Sequence, residues 1–119
     1  MPAFGRDGIL KADQISAVVS YVRSLSGLAN GPGADLALGK KVFAENCVTC
    51  HGEEGKGNKE VGSANLTDGI WLYGSDPETI RQTVFNGRGS VMPAWSGRLD
   101  EPTIKALTVY VHTFGGGEK

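Results

Sequence analysis

The chain has 119 residues, 39% of them hydrophobic, and a formal net charge of −1. That length supports one domain rather than two, the scattered Lys and Arg form no basic patch for nucleic acid, and two cysteines are too few for a disulfide scaffold. A domain of this size has a poor surface-to-volume ratio and gains from a large apolar ligand at its centre.

In chain order, the first predicted helix covers residues 14–25, with Ile15, Val18, Val19, Val22 and Leu25 on one face, Asp13 as N-cap and Gly27 as stop. Ser20, Arg23 and Ser24 interrupt this stretch, which falls far short of the ~20 apolar residues of a membrane span. "LANGPGAD" (28–35) reads as a linker. The second helix covers residues 36–50, with Leu38, Val42, Phe43 and Cys50 spaced for one face. The third starts at "SDPETI", where Asp76 caps and Pro77 suits the first turn, and ends at Asn86-Gly87. The fourth is capped by Asp100 and runs to Phe114, with Ile104, Leu107, Val111 and Phe114 as its core stripe. Eighteen glycines cluster between or after these segments, so the loops are long. No alternating strand pattern is present.

The chemistry lies in "CVTCHG". A redox dithiol needs this spacing beside a βαβ pattern, which is missing. Zinc could be counted together from Cys47, Cys50, His51 and His112. Adjacent Cys50 and His51 do not readily aim at one tetrahedral ion, however, and a second ligand pair is lacking. His112 falls off the core stripe of its helix and reads as a solvated surface histidine. A disulfide between Cys47 and Cys50 would leave His51 unexplained. C-x-x-C-H as a c-type haem attachment site accounts for all three residues. Positions i, i+3 and i+4 share one helix face, so two thiols reach one porphyrin edge while the histidine reaches the iron.

Haem iron has a sixth position, and Met92 in "GSVMPAWSG" is the one internal methionine. An isolated methionine is commonly core filler. Met92 instead lies in a Gly- and Pro-rich loop, beyond one helix and a long loop from His51, with Pro93 fixing the backbone after it. His/Met ligation fills both axial sites and raises the potential, which suits electron transfer.

With these residues in place, "GKKVFAENCVTCHG" resembles the first helix and haem site of class I cytochromes c. Gly39 and Phe43 stand where that family places a small residue and an aromatic, and Tyr110 where its last helix carries the aromatic that crosses them. The resemblance covers residues 34–116 and implies an all-α class I cytochrome c fold wrapped round one covalent haem c. Here an extra N-terminal helix precedes it. "ANLTDGIWLYG", "ETIRQTVFNGRGSVMPAW" and "LDEPTIKALTVYVHTFGGG" resemble, more narrowly, the second haem domain of the diheme subunit of cbb3-type cytochrome c oxidases. Trp71 and Arg88 stand where such domains supply haem-propionate partners. An indole N–H and a guanidinium both donate to carboxylates; a packed tryptophan and a surface arginine are the plainer alternatives.

An internal repeat supports this second resemblance. "MPAFGRDGILKADQISAVVSYVRSLSG" (1–27) matches "MPAWSGRLDEPTIKALTVYVHTFGG" (92–116). Both open MPA-aromatic, and Ile15/Ile104, Ala17/Ala106, Tyr21/Tyr110 and Val22/Val111 align. The expected organisation is therefore residues 1–27 as the last helix of a preceding cytochrome c domain, 28–34 as linker, 35–116 as a cytochrome c domain and 117–119 as a tail. Met1 takes the position of an axial methionine, or serves only as the start residue. No C-x-x-C-H precedes it in this sequence, so the first copy is expected to attach no haem of its own here.

The implied function is one-electron transfer in a terminal oxidase, with no substrate bond made by this chain. The partners are other redox subunits and a donor cytochrome or quinol-oxidising complex. The implied location is the periplasmic side of a bacterial inner membrane, and the chain would be a piece of a longer, membrane-anchored protein. The alternatives are a free-standing periplasmic electron shuttle and a haem peroxidase or gas sensor with an open sixth site. The stripe Val18, Val19, Val22 and Leu25, without its parent domain, is expected to dock on the chain's own haem domain or, preferentially, on a second copy to give a homodimer.

Overall fold

A computed structural model describes residues 1–115, so the expected tail and Gly116 lie outside the described residues. Its elements are α1 (Ala12–Leu25), α2 (Leu36–Asn46), α3 (Val48–His51), a 3₁₀ turn (Lys59–Val61), α4 (Pro77–Asn86) and α5 (Glu101–Gly115). Among the described residues there is no strand, only an isolated bridge between Asn58 and Ser63. The helical class read from the sequence holds. The chain divides into two units, Met1–Gly89 and Ser90–Lys119.

In the first unit, α1 starts earlier than expected. Lys11 takes the N-cap position, and its backbone N–H donates to the Gln14 side-chain oxygen at 2.9 Å. Asp13 is not the cap; it lies inside the first turn, where a carboxylate favours the positive end of the helix. Of the predicted stripe, Ile15, Val18, Val19 and Val22 are buried, and Leu25 packs against them. They share one core with Phe4, Leu10, Val42, Phe43, Ile80 and Val84.

Of the two outcomes expected for the α1 stripe, the structure shows docking on its own chain, which leaves the preferred one, a second copy, without a free apolar face. The stripe is already covered by α2 and α4 of its own chain. Each fully buried Val or Ile there contributes about 1.5–3 kcal/mol that exposure for a dimer contact would forfeit. Close approach is possible because Gly39 has no side chain: a Cβ there would stand 2.2 Å from the Ala17 carbonyl oxygen. Tyr21 lies beside it, with its ring 5.4 Å from that of Phe43. Residues before α1 add to this packing. The N–H groups of Phe4, Gly5 and Arg6 donate to the carbonyls of Val84 and Phe85 at 3.0–3.2 Å, satisfying the last turn of α4. The Met1 amino group donates to the Arg88 carbonyl at 3.1 Å.

The expected single helix over 36–50 is two. Asp35 caps α2 by accepting from the Leu38 N–H at 2.9 Å, but the helix stops at Asn46. That residue's side chain donates to the Val42 carbonyl at 2.9 Å, the local competition that makes Asn a poor interior residue. Cys47 then forms the joint, with φ −114° and ψ −29°. By contrast α4 follows the sequence signals: Asp76 accepts from the Thr79 N–H at 2.9 Å, Pro77 opens the helix, and Ile80 and Val84 are buried.

In the second unit, Asp100 caps α5 by accepting from the Thr103 N–H at 2.9 Å. The predicted stripe of α5 is not a buried one: Leu107, Val111 and Phe114 are exposed and Ile104 is half-buried. Taken by itself this unit is a loop and one helix, which offers no second layer for a stripe to enter.

Candidate haem-attachment site

The residues of C-x-x-C-H sit around the short α3. Cys47 is its N-cap, and the N–H groups of Cys50 and His51 donate back to the Cys47 carbonyl at 3.2 and 2.9 Å. This turn keeps the three side chains within one helical turn of each other. Both thiols are free; Cys47 is half-buried and Cys50 exposed. Burial, and secondarily the neighbouring Cys50, push the Cys47 thiol up to about 11.

The segment after α3 folds back to fix the histidine. His51 Nδ1 lies 2.8 Å from the Ala64 carbonyl oxygen. A carbonyl can only accept, so Nδ1 is the donor and Nε2 is the ring nitrogen left to face a metal. This is the outer bond that orients a metal-ligating histidine and raises its basicity. The fold-back is stapled by the Ser63 hydroxyl, which donates to the Cys50 carbonyl. The Gly57 N–H also donates to the His51 carbonyl at 2.8 Å.

The donor set fits haem c. It offers two unpaired thiols three positions apart and an imidazole whose Nδ1 is engaged, leaving Nε2 to face a metal. The same unit leaves Val61, Ile70 and Leu72 exposed. Among the described residues no group of three or more His, Cys, Asp and Glu is arranged to hold a metal ion by itself.

Trp71 is half-buried and packs on the same core as Cys47. Arg88 is exposed, its guanidinium 3.8 Å from the centre of the Tyr73 ring and its Nε donating to the Thr83 hydroxyl at 3.1 Å. Met92 belongs to the second unit, in an irregular segment where its side chain is exposed. His112 is likewise in that unit, exposed on α5. Sequence reasoning missed Ala64, Ser63, Tyr73 and Thr83. Ala64 acts through its backbone and leaves no side-chain signal. Tyr73, two residues from Trp71 in a glycine-flanked loop, was the one detectable partner.

Residues 34–111 match the family model for cytochrome c oxidase, cbb3-type, subunit III. The chain belongs to this family. It is 61% identical, over 99% of its length, to a cbb3-type cytochrome c oxidase subunit FixP of Bradyrhizobium diazoefficiens. It is 64% identical to FixP of Azorhizobium caulinodans over the same share. Subunit CcoP of Cereibacter sphaeroides is 52% identical, again over 99% of this chain. The chain spans 40–41% of the length of these relatives. Membership in a cytochrome c family implies covalently bound haem c. Among the described residues no helix is long and apolar enough to cross a membrane.

Proposed function

We propose that this chain carries one haem c and passes single electrons within a cbb3-type terminal oxidase, toward its oxygen-reducing subunit. Cys47 and Cys50 would hold the haem as thioethers, His51 Nε2 and the Met92 sulfur would be its axial ligands, and Trp71 and Arg88 would receive its propionates. Bound haem supplies a one-electron iron couple. The protein's share is to fix the imidazole plane through Ala64 and keep water from the apolar face. The chain itself makes and breaks no substrate bond. Its partners would be other redox subunits of the oxidase and a donor cytochrome or quinol-oxidising complex. Their contacts would be small and transient. It would work on the periplasmic side of a bacterial inner membrane, as part of a longer anchored protein. Residues 1–27 would be the tail of a preceding cytochrome c domain and 35–116 the domain that holds this haem.

The observation that carries this reading is the His51–Ala64 bond beside two free cysteines. The reduced-minus-oxidised absorption spectrum of the haem-loaded chain, with and without carbon monoxide, tests it. A six-coordinate, low-spin iron in both oxidation states that ignores carbon monoxide supports an electron carrier. A high-spin iron that binds carbon monoxide would replace it with an open-site sensor or peroxidase.

A further inference from the structure

Arg23, in the last turn of α1, grips two other parts of the first unit. One Nη donates to the Ser75 carbonyl and the other to the Ala29 carbonyl at 2.7 Å. Its Nε is buried with no hydrogen-bond partner. The two carbonyls therefore dictate the guanidinium's position, and Nε falls where the fork leaves it. Ala29 lies in the linker. Ser75 is the residue just before the Asp76 cap of α4 and closes the segment that carries Trp71 and Tyr73.

That segment is held at Trp71 by the core and at its far end by the Arg23–Ser75 bond. Gly74, between Tyr73 and Ser75, has φ +120°, a backbone state that side-chain-bearing residues rarely adopt. Ser75 is only two residues from Tyr73, so its anchor limits how far Tyr73 can swing about the Gly74 joint. Tyr73 in turn lies beneath the Arg88 guanidinium.

We propose that Arg23 is a positioning residue for the haem edge: by holding Ser75 it keeps Trp71 on the core and Tyr73 under Arg88, and so sets the reduction potential. This rests on the reading of Trp71 and Arg88 given under Proposed function. Lysine keeps the charge but cannot bridge two carbonyls with a planar fork. Glutamine removes both charge and fork.

The test uses the full haem-loaded chain with Arg23→Lys and Arg23→Gln, reading amide exchange over residues 70–75 and the reduction potential. In both variants exchange over 70–75 should quicken about tenfold while the buried amides of α1 and α2 hold. Both should shift the oxidised-to-reduced ratio at fixed ambient potential about threefold toward the oxidised form, as water reaches the haem edge. A shift in Arg23→Gln alone would be a charge effect and would overturn the proposal. Lowered thermal stability with an unchanged potential in both variants would overturn it too, leaving a purely structural clamp. Should Arg23→Gln fail to fold, Arg23→Lys decides alone. A chain that holds no haem sinks the functional reading instead, while exchange over residues 70–75 still reports whether Arg23 holds Ser75.

Discussion

Gly39 and Ala17 meet with no room between them: a Cβ added to Gly39 would stand 2.2 Å from the Ala17 carbonyl oxygen and 2.7 Å from Tyr21 Cβ. The contact is with backbone, so it cannot be relieved by turning a side chain. Gly39→Ala should therefore push α1 off α2. Replacing a helical glycine by alanine returns about 1 kcal/mol of propensity, but forcing two packed helices apart costs more. A net loss of about 2 kcal/mol is expected, read as a lower midpoint in urea with the slope unchanged. A neutral or stabilising result would mean that α1 does not pack on Gly39 in solution.

Cys47 is expected to be a slow thiol in the haem-free chain. Burial raises it from 9.0 to about 11. At pH 8 this leaves about 100-fold less thiolate than an unperturbed thiol, so iodoacetamide should label exposed Cys50 well before Cys47, checked by mass spectrometry. The sign for stability follows. The folded state holds the proton more tightly than the unfolded state, so this stabilisation is complete below pH 9. It is lost as pH rises from about 9 to about 11. Cys47→Ala should flatten that part of the pH profile.

Local chemistry was readable in the sequence, and long-range docking was not. The start of α4 at Asp76-Pro77 and the cap at Asp100 follow from side chains acting on their own backbone within a few residues. Cys47, Cys50 and His51 stand out because their spacing is itself the signal, and the structure gathers them around one short helix. Whether Val18 and Val19 enter the chain's own core or meet a second copy was left open because nothing in α1 names the surface it meets; Gly39, in another helix, lets that surface come close. The break at Cys47 lay hidden under an apolar spacing that continues across it. Arg23, placed in the first helix as an interruption, gave no hint of Ser75, a backbone partner far along the chain.

Met92 tests the sixth position. Met92→Ala should open the iron to carbon monoxide in the ferrous state. It should also move the couple toward ferric by at least tenfold, about 59 mV for one electron. An unchanged spectrum and potential would remove Met92 from the iron.

Covalent attachment through α3 is the central claim, and a haem-stained gel of the fully denatured chain tests it most directly. The account predicts that haem migrates with the unmutated polypeptide and is absent from the Cys47→Ala/Cys50→Ala double variant. Haem that leaves the unmutated chain on denaturation, or stays covalently with the double variant, would contradict it.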